Sequence, residues 1–467
     1  MVALPPPSPI SWLRWAVWAL MMGCIAWGYV FLAGQKIEQG LASPLSPLEQ
    51  RHLALTQATQ ADFKPDFTHS VSDPLKKLVP HRTDGLVQPL WPWLAALSLD
   101  VQNLTGSLHD LAWFRVGLTL GGLILLGLVC ARHFALPAAL LVVALTAFHG
   151  WLGTVATFSG ATLFHLFLLL TWLACLYALQ RNSLWVYGLV GGFGALAYLS
   201  VDRILPLVAV FIIVSTLRAL WGWMAAHWCT HEGTSLWVRR NHLFGLLLLV
   251  TAVGFIAGPR MTEANRQFGH AAFHYTDSIR WLDHREAAET WIENHPDRAS
   301  LEKIPALAQP SAHLYFQTHS TQEAQQRLLA GAALLLGRLK GRGGEVLAVL
   351  FVLLFAFTLA CRFSTPKACH AGERLHPETV PTVLFLITAT LTYGVIAAWD
   401  VAVMPANYLH ALTAPLTLSL LWGCESVLRR ARRRGASWLV SRGYQITLWL
   451  LLAMTLTQFW RSAFAAA

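Results

Sequence analysis

The sequence has few charged residues for its length. Only 12% of the 467 residues are Asp, Glu, Lys or Arg, whereas 55% are hydrophobic and the mean hydropathy is +0.49. Soluble domains carry about 25% charged residues, so this composition excludes a soluble globular protein of this size. Apolar runs long enough to cross about 30 Å of hydrocarbon recur along the chain. Because lipid offers the backbone no hydrogen-bond partners, the sequence predicts an all-α, polytopic membrane protein.

Cysteines and nucleotide-binding patterns are also scarce or missing. All seven cysteines lie in predicted spans or predicted cytoplasmic loops, so we expect no disulfide framework. The sequence has no internal repeat and no glycine-rich phosphate loop. The net charge of +10 does not indicate a nucleic-acid partner, because many arginines stand in one short loop that predicts a cytoplasmic anchor on anionic lipid. They are Arg429, Arg430, Arg432, Arg433, Arg434 and Arg442.

The hydropathy pattern predicts about eleven transmembrane helices. In chain order they cover residues 11–33, 113–131, 134–150, 158–179, 184–199, 204–223, 242–258, 345–361, 380–398, 408–423 and 446–460. The first run is too long and too rich in Trp for a typical signal peptide, so we interpret it as an anchor. Every short loop assigned inside contains Lys or Arg, which places the N-terminus in the cytoplasm and the C-terminus outside. We expect a multi-pass protein of the cell inner or plasma membrane.

These spans divide the chain into five parts. They are an anchor helix (residues 1–33), a first outside loop with interfacial helices (34–111), a transmembrane bundle (112–259), an outside helical segment (260–344) and C-terminal transmembrane helices (345–467). Within the second outside segment, amphipathic spacing predicts helices over residues 278–295 and 322–339.

The first outside loop, from Gly34 to Leu94, concentrates acids, bases and tryptophans beside the membrane. Pro89 and Pro92 exclude a regular helix start before about Trp91. Trp91 and Trp93 favour the headgroup layer, so this stretch is expected to return to the membrane surface. The sequence therefore predicts a site here that faces water but lies against lipid.

Several short motifs follow one another in a characteristic order. Residues 47–54 (PLEQRHLA) follow the first span, and residues 88–94 (QPLWPWL) and 115–117 (RVG) precede or open the second. Residues 407–409 (NYL), with Pro415, precede a later span and a basic loop. In order, spacing and topology these motifs resemble the integral-membrane glycosyltransferases of the GT-C class, which include the aminoarabinose transferases of lipid A and the protein O-mannosyltransferases.

The chain departs from the pattern of this class at three places. Leu48 stands where the class has the first acid of an Asp-Glu pair, which leaves Glu49. Residues 157–160 (TFSG), at the outer end of a span, contain no acid where the class often has one. Asn407 stands where an arginine is common. A catalytically degenerate relative that binds a lipid-linked sugar or a partner enzyme therefore stays open as an alternative.

The resemblance implies transfer of a sugar from a polyprenyl-phosphate carrier to a lipid, glycan or protein acceptor at the outer face of the membrane. Such chemistry needs a carboxylate that takes the acceptor's proton or holds a metal on the phosphate. We expect Glu49 and Asp84 in the catalytic role, with Glu38 behind them; solvated loop acids are the ordinary alternative. A divalent metal is a candidate cofactor. A transporter of the same lipid is the third alternative, but the chain lacks the paired broken helices that transporters have.

The leaving phosphate needs cations, and a guanidinium can hold two phosphate oxygens at once. Arg82, Arg203 and Arg260 lie at outer ends of predicted spans and are the candidates, with snorkelling to the interface as the alternative for Arg203. Gln88, Trp91, Trp93 and Tyr408 are candidate substrate contacts, and interfacial belt residues are the ordinary alternative for the tryptophans, including Trp281 and Trp291. His270, His274 and Asp277 have the spacing of a metal-binding helix face, but a surface helix with incidental histidines is the preferred interpretation.

Overall fold

The computed structural model describes residues 12–63, 80–181, 183–228, 235–295, 309–339, 344–363, 379–403, 407–433 and 438–465. Every regular element within these ranges is helical. Eight helical stretches in them are long and apolar enough to cross a membrane, and two shorter apolar helices accompany them. The prediction of an all-α, polytopic membrane protein is therefore confirmed.

The long helices occupy the positions that the apolar runs predict. They are α1 (Trp12–Ala42), α4 (Leu104–His133), α5 (Leu136–Leu145), α6 (Ala161–Arg181), α7 (Leu184–Ser200), α8 (Leu205–Trp228), α9 (Ser235–Phe268), α14 (Gly344–Phe363), α15 (Thr379–Asp400), α16 (Thr413–Arg433) and α17 (Trp438–Ala465). Helix α5 continues through a π-helical turn (Thr146–Trp151) and a 3-10 turn (Leu152–Thr154). Two further 3-10 turns, Asp202–Ile204 and Asn407–Leu412, precede α8 and α16.

The remaining helices are short or lie in the polar segments. They are α2 (Pro47–Phe63), α3 (Leu90–Ala96), α10 (Tyr275–Ile279), α11 (Arg285–Asn294), α12 (Ala312–Thr318) and α13 (Thr321–Leu339). The helix predicted over residues 322–339 is confirmed as α13. The single helix predicted over residues 278–295 is wrong: α10 ends at Ile279, and α11 begins after His284, whose backbone is extended. In the turn between them, Trp281 packs against the ring of Trp399, with 5.5 Å between the ring centroids.

The apolar core has two main clusters. Helix α5 is apolar on every side and all its residues from Pro137 to Leu145 are buried, as expected for a helix that is hydrophobic all round. It packs among α1, α4, α16 and α17. The second cluster joins α6, α7, α8, α9 and α15. Together these clusters form the bundle that carries the polar segments.

The two long polar segments meet at the same end of this bundle. The backbone N–H of Tyr275 donates to the carbonyl of Gly85 at 2.9 Å, and Arg260 Nε donates to Gln88 Oε1 at 3.2 Å. Gly85 has a positive φ of 80°, and a Cβ there would lie 2.7 Å from Tyr275 Cε2. Only glycine therefore suits both the backbone conformation and the close approach.

Candidate functional site

Glu49 begins the site, because it is fixed at the first turn of α2. Its Oε2 accepts hydrogen bonds from the backbone N–H of Ser46 at 2.9 Å and from the Ser46 hydroxyl at 2.6 Å. In return, the backbone N–H of Glu49 points to Ser46 Oγ at 3.4 Å. This is a capping box, with Pro47 as the first helical residue. The local sequence therefore gives Glu49 a structural role, whatever else it does.

The other carboxylate oxygen of Glu49 reaches across to a different part of the chain. Its Oε1 accepts the backbone N–H of Phe158 at 2.8 Å, in the stretch between α5 and α6. Partial burial raises the pKa of Glu49, but the hydrogen bonds from Ser46 and Phe158 and the charge of Arg115 outweigh it, so the pKa lies below its usual value. A carboxylate offers about four acceptor positions, so these three bonds leave about one.

Arg115 is a buried cation beside Glu49 that was not among the predicted site residues. It lies in α4 with 1% of its surface exposed, and its Cζ stands 5.0 Å from the centroid of the Trp91 ring. Within the part of the chain that the structure describes, its Nε and Nη1 have no hydrogen-bond partner. The sequence contains a signal for this residue, because an arginine inside a predicted apolar span is costly to bury and is therefore a candidate site residue.

Glu49 and Arg115 line one cavity, which we call the Glu49 cavity. Its volume is about 200 Å³, below the roughly 300–1,000 Å³ of pockets that enclose drug-sized ligands. Among its described lining residues, Glu49 and Arg115 are the only charged ones. The others are Ile37, Gly40, Leu41, Ser43, Pro44, Leu45, Leu108, Ala112, Ala156, Thr157 and Phe158. The cavity is therefore mostly apolar, with one anion and one cation in its wall.

His52 and Trp91 add unpaired polar atoms near Arg115. His52 Nδ1 and Trp91 Nε1 are buried without a hydrogen-bond partner among the described residues. Burial, followed by the charge of Arg115, lowers the pKa of His52 to about 3, so this imidazole is neutral at physiological pH. The ring of Trp91 is fully buried in contact with Arg115 and Phe158, so it does not face lipid as the interfacial-belt alternative requires, and its role as a substrate contact stays a prediction.

Asp84 lies on a second, more open cavity of about 490 Å³. Its Oδ1 accepts the backbone N–H groups of Leu86 at 2.9 Å and Val87 at 2.6 Å, and its Oδ2 is 3.5 Å from Arg51 Nη1. This cavity is lined by Arg51, Thr83, Asp84, Gln267, Phe268, Tyr275, Ile292 and Glu293. Because Glu49 and Arg51 are two residues apart, they point about 200° apart around α2. Helix α2 thus separates the two cavities.

Arg260 holds the polar segment that follows α9. Its Nη1 donates to the carbonyl of Ala271 at 3.2 Å and its Nη2 to the carbonyl of Phe273 at 2.7 Å. Its Nε donates to Gln88, and its Cζ lies 5.3 Å from the centroid of the Tyr198 ring. The predicted site residues Arg260 and Gln88 are therefore brought together, in contact with backbone carbonyls.

Arg203 belongs to a buried ionic network that joins three elements. Its Nη1 donates to Asp400 Oδ2 at 2.7 Å, and its Nε lies 3.7 Å from Asp202 Oδ1. Asp202 Oδ2 is 3.3 Å from His274 Nδ1 and also accepts the hydroxyl of Thr276. Burial lowers the pKa of His274 although Asp202 acts in the opposite direction. The network connects the end of α15, the turn before α8 and the start of α10.

The other candidates are dispersed. Arg82 and Trp93 are partly exposed, and Glu38 and His270 are exposed. The side chain of Tyr408 lies outside the described residues. Within the described ranges, no group of three or more His, Cys, Asp or Glu side chains is arranged to hold a metal. The set of His270, His274 and Asp277 is therefore not arranged as a metal site.

Comparison of this chain with protein-family models, with curated proteins and with solved structures finds no match in any of the three.

Proposed function

We propose that this chain is a membrane glycosyltransferase that moves a sugar from a polyprenyl-phosphate carrier to an acceptor at the outer face of the membrane. The observation that supports the proposal is the Glu49 cavity. It places one fixed carboxylate and one buried guanidinium with unpaired nitrogens in a largely apolar wall. An apolar cavity with a cation suits the phosphate end of a lipid carrier, and its size suits a headgroup rather than the whole lipid.

Arg115 is the residue to which we assign the carrier phosphate. Arg203 is engaged by Asp400 and Asp202, and Arg260 by the carbonyls of Ala271 and Phe273. Arg115 alone of these three has buried N–H groups without a partner among the described residues. Such groups cost free energy until an acceptor arrives, and a phosphate supplies several charged acceptors. Arg82 stays a candidate for a second contact with the phosphate.

Glu49 acts as the general base in this proposal. It accepts the proton of an acceptor hydroxyl while the hydroxyl oxygen forms a bond to the anomeric carbon of the sugar. The bond between that carbon and the phosphate oxygen breaks at the same time, and its electron pair stays on the phosphate beside Arg115. Attack opposite the leaving group inverts the anomeric configuration. The one acceptor position left on Glu49 Oε1 is the place for this proton.

The proposal also assigns a topology. We infer eleven spans, with the N-terminus in the cytoplasm and the C-terminus outside, in the cell inner or plasma membrane. The two polar segments that touch through Gly85 and Tyr275 then lie on the outer face. The open cavity at Asp84 is where we place the approach of the acceptor, because its mixed charges and aromatic walls suit a polar, uncharged glycan. The predicted catalytic role of Asp84 stays a prediction.

The chain supplies a matched control for Glu49. Ser320 and Glu323 form a second capping box at the start of α13, with Glu323 Oε2 accepting the backbone N–H of Ser320 at 2.7 Å and its hydroxyl at 3.0 Å. The gene is deleted in its host to find the surface glycan that depends on it, and variants are then introduced. Glu49→Gln should abolish that glycan, whereas Glu323→Gln, which loses the same capping charge, should leave it intact. Asp84→Asn, in the same assay, tests the predicted catalytic role of Asp84.

Two results would contradict the proposal: no surface glycan changes on deletion, or Glu49→Gln at normal protein level keeps the glycan. A second candidate function is a chain that binds the lipid-linked sugar without transfer. The single carboxylate among the described residues of the Glu49 cavity favours this candidate. It predicts that purified protein binds the carrier and that Glu49→Gln has no effect on the glycan.

A further inference from the structure

The sequence of helix α13 changes from polar to apolar at Arg327. The residues before it, Thr321 to Gln326, are polar except for Ala324. The ten residues after it, from Leu328 to Gly337, include no polar or charged side chain. The division of the chain into outside and membrane parts treats the segment that follows α9 as polar throughout. The composition of α13 shows that it is not.

The apolar half of α13 is exposed rather than packed. Leu329 and Leu336 are each 69% exposed and Leu334 is 54% exposed. Gln325, Leu329 and Leu336 lie on one face of the helix, because their spacing of four and seven residues returns to nearly the same direction. This face carries Gln in the first half of the helix and Leu in the second. The change in polarity therefore depends on the position along the helix and not on which face a residue occupies.

The opposite face of α13 rests on the end of a membrane-spanning helix. A Cβ on Gly331 would lie 1.8 Å from the carbonyl oxygen of Ala398, so only glycine allows this approach. Leu335 packs in a cluster with Ala397 and Ala398, in the last turn of α15, and with Val401, which follows it. Helix α15 is a candidate span that ends at Asp400. Helix α13 therefore lies at the depth where this span leaves the membrane.

The face of α15 that meets α13 is exposed farther along the helix, because Leu391 lies seven residues before Ala398 and so on nearly the same side. On α15, Ile387, Leu391 and Val395 are exposed by 54%, 62% and 53%. In a spanning helix such residues face lipid. The apolar half of α13 thus lies next to a face that lipid covers if α15 spans the membrane, and lipid is the neighbour that we assign to it.

Arg327 marks the water boundary of the helix. Its Nη2 donates to the carbonyl of Arg280 at 3.0 Å, and its Cζ lies 4.5 Å from the centroid of the Trp399 ring and 5.2 Å from that of Tyr315. Tryptophan, tyrosine and arginine gather at the level of lipid headgroups. This cluster stands where α13 passes from polar to apolar sequence.

We propose that residues 328–337 of α13 are submerged in the membrane leaflet at this end of the bundle, with Arg327 and its aromatic partners at the headgroup level. A run of ten apolar residues is too short to cross the bilayer and is typical of a re-entrant or interfacial segment. The proposal concerns lipid contact and does not depend on the glycosyltransferase assignment.

The test uses the full chain reconstituted in phosphatidylcholine vesicles. Gln325→Cys, Leu329→Cys and Leu336→Cys are each labelled with an environment-sensitive NBD fluorophore, and the parent chain, with its native cysteines, sets the blank. Nitroxide attached to the lipid chains and aqueous iodide serve as the two quenchers. We expect several-fold stronger quenching by the lipid nitroxide at positions 329 and 336 than at position 325, and the reverse order with iodide.

Two outcomes would overturn the proposal. Equal access of iodide to all three labels would place the whole helix in water. Protection of positions 329 and 336 from both quenchers would show that protein, either a second copy or another chain, covers them instead of lipid. All three positions are exposed, so the substitutions themselves remove no packed side chain.

Discussion

Glu49 Oε1 accepts a hydrogen bond from the backbone N–H of Phe158, 109 residues away in the sequence, at 2.8 Å. This bond ties the first turn of α2 to the stretch before α6 and orients the carboxylate beside Arg115. Phe158 also lies in the stretch, residues 157–160, that lacks the further acid often found there in the GT-C class. A backbone N–H therefore meets Glu49 in a region where the resemblance would place a carboxylate.

The Ser46 hydrogen bonds predict the pH dependence of the proposed sugar transfer. They help hold the pKa of Glu49 below its usual value, so Glu49 stays an ionised base until the pH falls through that lowered value. Ser46→Ala removes the hydroxyl bond, raises the pKa toward normal and should move the acid limb of the rate profile to higher pH. Ser320→Ala removes the equivalent cap of α13. Each of the two substitutions should lower the free energy of unfolding by about 0.5–2 kcal/mol. An unmoved acid limb in Ser46→Ala would contradict the assignment of Glu49 as base.

His52 predicts a loss of stability at low pH. Its pKa is about 3 in the folded chain and 6.5 in its ordinary state. Between these values the unfolded chain binds more protons, so the free energy of unfolding falls as the pH drops from 6.5 toward 3. In His52→Gln the apparent melting temperature should depend less on pH over this range. His284→Gln, which changes an exposed histidine, should keep the wild-type slope.

Asp400 predicts the cost of breaking the buried network. Asp400→Asn removes the charged partner at 2.7 Å from Arg203 and leaves Asp202 at 3.7 Å, so the cost should approach but not exceed the roughly 3–5 kcal/mol of a fully broken buried pair. Asp283→Asn removes an exposed pair with His319 and should cost about 0–1 kcal/mol. Thermal unfolding of the purified variants measures the difference. Equal losses would mean that Asp400 and Arg203 are solvated in the folded protein.

Gly85 predicts how the two polar segments are held together. Gly85→Ala forces a positive φ on alanine and places its Cβ 2.7 Å from Tyr275, so the contact between the segments should open. Limited proteolysis should then cut residues 271–295 faster than in the wild type. Gly394→Ala, in α15 with nothing within 4 Å of the added Cβ, should leave the rate unchanged. A wild-type cleavage rate in Gly85→Ala would show that the segments do not depend on this contact.

The sequence predicted the helices well because hydropathy is a local property. Each of the eleven apolar runs coincides with a helix, and α13 was found from its amphipathic spacing. At the break between α10 and α11, which the sequence did not predict, Trp281 packs against Trp399, more than one hundred residues later. Local periodicity contains no information about such a contact.

The candidate site was predicted only in part, for the same reason. Glu49 was found through its motif, but Arg115 was read as a motif residue and not as a buried charge. Arg203 and Asp400 are 197 residues apart, so their ion pair cannot be read from spacing. The Asp84-Gly85 pair is typical of a turn, because an Asp side chain often accepts the backbone N–H two residues later, as Asp84 does from Leu86.

The most direct test of the account is the affinity of the purified full-length protein, in lipid nanodiscs, for a synthetic polyprenyl monophosphate. Arg115→Met should weaken binding by about 10- to 100-fold, the loss expected for a hydrogen-bonded charge worth about 1.5–3 kcal/mol. Arg266→Met, which removes an exposed arginine, should bind as the wild type does. Equal affinity in the wild type and Arg115→Met would contradict the assignment of the carrier phosphate to the Glu49 cavity.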